Sequence, residues 1–421
     1  MTTALLILAV VFTALMMFGV PVSFSIGIAT LLALFTVTPT PNTALIVSAQ
    51  RVASSLDSFT LVAIPLFILA GGLMNTGGIA MRLIDLAKVL VGWLPGSLAQ
   101  ISVVANALFG AISGSAVASA ASVVVTLSPL QRQAGYNMPI CAAANVASSP
   151  CGLLIPPSGA LIVYSLISGG TPVDVLFVAG YIPGILMAGS VMVWLAIIAR
   201  RGELPTDVRR YSINEAAHIF WRALPALAMI VIIMGGIVGG ILVLGLLYRS
   251  LTLKTLVGSV INASVGTAVV MLMVGVSMTM SWLLASTGSV QMLGEAIIGV
   301  SSNPYVLLLL LNILLLVLGT FLDITPGLLI FTPIFLPVAM KLGISPVHFG
   351  IIMTVNLCIG IATPPVGSTL FVASRVSNVP LAQLTKPLLP MFAFMIVALG
   401  LVTYIPALSL WLPQVLLGKT G

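Results

Sequence analysis

Asp323-Ile324-Thr325-Pro326 and then Thr363-Pro364-Pro365-Val366-Gly367 interrupt the apolar stretch at residues 318–375. An earlier stretch, residues 110–165, is interrupted in the same two ways, by Ser113-Gly114-Ser115 and by Pro156-Pro157-Ser158-Gly159. The landmarks keep one register, because Pro129 and Pro337, Gly135 and Gly343, Gly152 and Gly360, Pro157 and Pro365, and Gly159 and Gly367 all stand 208 positions apart. Five coincidences at one offset point to a duplicated unit. Proline has no amide donor and glycine weakens helix, so each unit reads as membrane helices interrupted at two points. Carbonyls and amides freed in this way survive in hydrocarbon only where protein or a polar cavity satisfies them. Matched pairs of broken helices are therefore the best sequence pointer to a secondary transporter's binding site. A single break would be read more simply as a packing notch.

The 421 residues are 60% hydrophobic and only 5% charged, with a mean hydropathy of +1.26. One soluble core cannot hide that much apolar side chain, so lipid is the solvent. Each span needs ~20 residues, and the apolar blocks are too long for the alternating strands of an outer-membrane barrel, which leaves helical inner-membrane architecture. The net charge of +7, from 15 Lys or Arg against 8 Asp or Glu, does not point to nucleic acid. The cations are scattered at span ends, except for Arg200, Arg201, Arg209, Arg210 and Arg222, which read as a cytoplasmic loop. Cys141, Cys151 and Cys358 lie in apolar sequence without metal-ligand spacing and read as buried small residues. The first apolar run has almost no positive flank and reads as a retained span. With no lysine-bearing phosphate loop, ATP hydrolysis is disfavoured, and the chain is expected not to be an enzyme.

Five regions follow. Residues 1–53 are expected to be N-terminal scaffold helices, with two apolar runs joined at Gly19-Val20-Pro21. Residues 54–172 form the first transport repeat. Within it, Arg82, Asp85 and Lys88 are too costly at mid-depth, so their helix is expected to lie at the interface. Asp57 reads as a cap for the residues after Ser58. Residues 173–257 supply further scaffold and the link between repeats, 258–388 the second transport repeat, and 389–421 a final span and tail. His218, beside Phe220 and Trp221, reads as an interfacial anchor, and His348, near the loop after Pro346, is given an equally bland role. Roughly eleven to thirteen membrane-embedded segments are expected, some re-entrant.

The breaks offer oxygen. Sodium makes no directional demand like that of zinc, and unwound carbonyls and half-helix C-terminal ends supply a suitable field, while helix N-terminal amides can face an anion. The first unit offers Ser113, Gly114 and Ser115, with Ser149, Gly152 and Pro156 across the fold; the second offers Asp323 and Thr325, with Asn356, Gly360, Thr363 and Pro364. One oxygen cage per unit is expected. Asp323 is the most informative residue, since a carboxylate after so long an apolar run is expensive unless it couples an ion or substrate, or caps the helix that follows. Ser115, Ser158, Thr325 and Thr363 are candidates to hold an acidic substrate. Arg375 is a candidate counter-charge, although its place beyond the second break is also ordinary for a span end.

Five stretches in this order resemble the large membrane subunit of tripartite ATP-independent periplasmic (TRAP) transporters. They are Ser58-Phe59-Thr60-Leu61-Val62-Ala63-Ile64-Pro65, Ser113-Gly114-Ser115-Ala116-Val117-Ala118, Ile155-Pro156-Pro157-Ser158, Asp323-Ile324-Thr325-Pro326 and Ile361-Ala362-Thr363-Pro364-Pro365-Val366-Gly367. The resemblance implies an all-α polytopic membrane protein with two inverted repeats, re-entrant helical hairpins and broken transmembrane helices, working as an elevator. It implies sodium as coupling ion at two sites, a small carboxylate between them, a separate small membrane subunit, a soluble periplasmic binding protein, and a place in the bacterial inner membrane. In one place the sequence departs from the pattern, passing from Gly239-Gly240-Ile241 straight to Leu242-Val243-Leu244-Gly245-Leu246-Leu247-Tyr248. That is short by about a dozen residues or more, over half of a span of ~20. Residues left out of the sequence and a real deletion both fit, and a deletion would put transport in doubt. The competing functions are a stand-alone sodium-coupled carboxylate carrier without a binding protein, and a channel or non-transporting scaffold.

Overall fold

The computed structural model describes residues 2–57, 69, 79–205, 211–235, 253–288, 292, 299, 301, 303–320, 322–364 and 367–419. The expectations for residues 58–65, for Arg209 and Arg210, for the short passage within 236–249, and for Pro365 and Val366 lie outside them. Every regular element among the described residues is helical.

The N-terminal group is α1 (Thr2–Met17), α2 (Val22–Val37) and α3 (Pro41–Leu56). Pro21 stands at the cap of α2, where its missing amide costs little. Thr40 caps α3 by accepting from the Thr43 amide at 3.3 Å. Asp57 ends α3 at its C-terminal cap. The residues after Ser58 that it is expected to cap lie outside the described ones. These three helices share a small core, Ala4, Ala33, Leu34, Ala44 and Leu283, with the long α11 (Leu253–Ser286).

The charged segment becomes α4 (Ile79–Val91), with Lys88 paired to Asp85 at 2.8 Å. Its apolar face, Ile84, Ala87 and Val91, packs on the hairpin of α5 (Ser97–Ser113) and α6 (Ala116–Gln133). The first broken helix is α7 (Met138–Ser148), a tight turn over Ser149–Leu153, and α8 (Gly159–Ile167). α9 (Val173–Arg200) and α10 (Ile213–Gly235) lead to α11. The second unit repeats the order, with a hairpin of α12 (Pro304–Gly319) and α13 (Ile324–Lys341) and a broken helix of α14 (Pro346–Gly360) and α15 (Ser368–Ser377). α16 (Leu381–Tyr404) and α17 (Ala407–Leu417) finish the chain.

Among the described residues four stretches are long and apolar enough to cross a bilayer: α9, Val260–Ser286 of α11, α13 and α16. Six more apolar helices, α1, α2, α5, α12, α14 and α17, fall short of that length. In the first broken pair, α7 and α8 have 11 and 9 residues and only together approach the ~20 residues of one span.

The two units are packed into each other, α13 lying on α8 and α6 on α15. The hydroxyl of the fully buried Tyr164 on α8 donates to the Pro346 carbonyl at the start of α14, at 2.6 Å. The thiol of Cys358 on α14 reaches the Pro150 carbonyl in the first break. All three cysteines are buried. His348 is buried too, near the start of α14, with its Nε2 3.3 Å from the Thr403 carbonyl. His218 lies beside the exposed Phe220 and Trp221.

Candidate functional site

Both hairpin tips turn for local reasons. Gly114 closes α5 in the left-handed region, at φ 63°, where a side chain would be strained, and the Ser115 hydroxyl then caps α6 by accepting from the Ala118 amide at 3.2 Å. The Ser113 hydroxyl folds back on the Ser115 carbonyl at 3.3 Å. In the second tip Asp323 holds the position that Ser115 holds in the first, 208 residues earlier, before the first turn of α13. Its side chain makes no cap bond. Instead Asp323 Oδ1 accepts from the Ser368 hydroxyl, 3.1 Å away at the start of α15, so the carboxylate ties the second tip to the second break.

Each tip helix touches its break through glycine. A Cβ on Gly152 would lie 2.5 Å from Gly110 Cα, and one on Gly360 would lie 2.5 Å from the Gly319 carbonyl carbon. Asparagines reinforce both contacts. Asn106 on α5 donates to the Ser148 hydroxyl at 2.9 Å and accepts from the Ser119 hydroxyl at 2.7 Å, joining both hairpin helices to α7. Asn312 on α12 accepts from Asn356 Nδ2 at 2.6 Å and donates to Thr403 at 3.0 Å. Hydroxyls cover carbonyls freed by the breaks: Ser158 bonds the Leu153 carbonyl, Thr363 that of Ile359 at 2.7 Å, and Thr369 that of Ile361 at 3.1 Å.

The tips enclose one cavity of about 330 Å³. Ser113, Gly114, Ser115, Asp323 and Thr325 line it, together with Leu153, Gly159 and Ile361 from the breaks and Val270 and Met273 from α11. The structure thus brings both tips to one space. Ser149, Gly152, Pro156, Ser158 and Asn356 are buried behind it, while Gly360, Thr363 and Pro364 stand at the second break without lining it. Arg375 is not brought there, because it sits in the last turn of α15, about 10 Å along the axis from Ser368. No Lys or Arg lines the cavity among the described residues, and none of their His, Cys, Asp and Glu side chains gather in threes as a transition metal would require. Hydroxyls, freed carbonyls and one carboxylate are a hard-oxygen donor set that fits an alkali ion. Ser368, Asn106 and Asn312 were not singled out from sequence; the two asparagines left a signal there, as lone amides in long apolar helices.

The family model for the tripartite ATP-independent periplasmic transporter, DctM component, matches residues 9–408. The chain belongs to this family. It is similar to an uncharacterized protein, YgiK, of Salmonella typhimurium, with 48% identity over 416 residues, 96% of this chain and 95% of the relative. It is also similar to the sialic acid TRAP transporter large permease protein SiaM of Vibrio cholerae, at 38% over 418 residues, 95% and 96% of the two chains. The C4-dicarboxylate TRAP transporter large permease protein DctM of Rhodobacter capsulatus is 33% identical over 431 residues, 96% and 97%. Among solved structures the YdaH transporter of Alcanivorax borkumensis shares the fold, with a TM-score of 0.62 at 14% identity over 90% of each chain. The protein is accordingly a multi-pass inner-membrane permease component of a TRAP transporter.

Proposed function

We propose that this chain is the permease of a sodium-coupled importer for a small organic acid, working as an elevator with a small membrane subunit and a periplasmic binding protein. The observation that carries the reading is the single cavity between the two tips, which holds one carboxylate and no cationic side chain among the described residues. An acid anion ~5 Å from Asp323 would be repelled by ~3 kcal/mol at an effective dielectric of ~20, so it needs a bound cation to enter. Sodium, when bound, supplies that charge. The tip hydroxyls of Ser113, Ser115 and Thr325 and the carbonyls at the breaks would hold it, one set in each unit. The caps at Ser115 and Asp323 aim the N-terminal amides of α6 and α13 at the same space, where an anion is favoured by the helix dipole. The relatives named for sialic acid and C4-dicarboxylates support an acidic substrate, and the tripartite family supports the two partners.

Elevator movement is supported by the interlocked packing, since α8 on α13 and α6 on α15 make the two units one body that moves as a whole, as two inverted repeats would. The test is uptake into vesicles containing this chain and its small subunit. Acid should accumulate only with an inward sodium gradient and the binding protein present. Accumulation without the binding protein would make the chain a stand-alone carrier, and accumulation without sodium would remove the ion from the mechanism.

A further inference from the structure

We propose that a groove at one end of the membrane domain holds the headgroup of an ethanolamine phospholipid. The groove, about 560 Å³, lies where the N-terminal ends of α7 and α16 meet the C-terminal end of α9, and it shares no lining residue with the cavity between the hairpin tips. Its wall is apolar, with Trp194 and Ile198 of α9, and the Trp194 ring lies 5.6 Å from that of Phe394. Its rim is polar, with Asn137, Glu203, Gln383 and Lys386. An apolar wall beneath a polar rim fits an amphipathic ligand. Trp194 sits about 9 Å along α9 from Arg200, which places it at the headgroup boundary and the rim at the water.

The rim charges select the headgroup. Lys386 and Glu203 are both exposed, and neither forms an ion pair with any described residue. Two opposite charges that line one groove without pairing can be bridged by a ligand that carries the reverse pair, a phosphate for Lys386 and an ammonium for Glu203. Neither α7 nor α16 has a side-chain cap bond, so their first amides add positive potential on the phosphate side. An ammonium with N–H groups can donate to the Glu203 carboxylate, whereas a choline headgroup cannot. A glycerol headgroup would leave Glu203 facing a net negative lipid.

Native mass spectrometry of the full chain in detergent, with phosphatidylethanolamine, phosphatidylcholine and phosphatidylglycerol added in turn, tests this. Retention of phosphatidylethanolamine should exceed that of either other lipid by about fivefold, the worth of one exposed charge pair. Lys386→Glu should abolish the preference, and Glu203→Gln should make the ethanolamine and choline lipids equal, both with an unchanged melting temperature because the side chains are exposed. Equal retention of all three lipids by the unmodified chain, a preference for phosphatidylglycerol, or a preference that survives both substitutions would overturn the proposal.

Discussion

At the scale of the residue, Asp323 sets the charge of the cavity and Ser368 holds it in place. Asp323→Asn keeps an acceptor for the Ser368 hydroxyl but removes the charge, and uptake driven by a sodium gradient should fall ~100-fold, because ~3 kcal/mol of attraction for a sodium ion ~5 Å away at an effective dielectric of ~20 is lost. Ser368→Ala removes one hydrogen bond and should cost only ~5-fold, about 1 kcal/mol. Initial uptake rates at matched protein content would separate the two. Glycine contacts make a second prediction at this scale. At Gly360 the obstructing atom is the Gly319 backbone, 2.5 Å from a new Cβ, and backbone cannot rotate away. Gly360→Ala should therefore lower stability by ~1–3 kcal/mol. Gly189→Ala on α9, with nothing within 4 Å, should instead hold or slightly raise stability, by up to ~1 kcal/mol, because alanine is the better helix former.

At the scale of the element, Asn106 fastens hairpin to break. Asn106→Ala would leave the buried hydroxyls of Ser148 and Ser119 without this partner, at ~1–3 kcal/mol, a loss that thermal denaturation in detergent would read. Exposure of the tips can be read by thiol labelling. The three natural cysteines are buried, so the unmodified chain should react slowly, Ser115→Cys should react quickly, and sodium with a transported acid should slow it. The hairpins and breaks were legible in the sequence because glycine, proline and capping serines act on their own backbone. What those elements touch was not legible. The bond from Asp323 to Ser368, the seating of α8 on α13 and the burial of His348 arise from residues far apart in the chain, and hydropathy carries no such pairing. Arg375 looked close to the break in sequence, but the helical rise of α15 carries it away.

At the scale of the whole molecule, the two units meet at one cavity whose only charged lining residue among those described is an acid. On the proposed function, that arrangement would make sodium a condition for holding an organic anion rather than an accessory to it. A bound ion stabilises a folded protein by mass action, about 1.4 kcal/mol at a concentration ~10 times the dissociation constant, so the proposed sodium sites would show as added stability. The most direct measurement is the melting temperature of the purified chain across sodium concentrations, with potassium replacing sodium at constant ionic strength, for the natural sequence and for Asp323→Asn. The account predicts a saturable rise with sodium, absent with potassium and strongly reduced in the variant. A melting temperature indifferent to sodium, or a sodium response that the variant keeps in full, would contradict it.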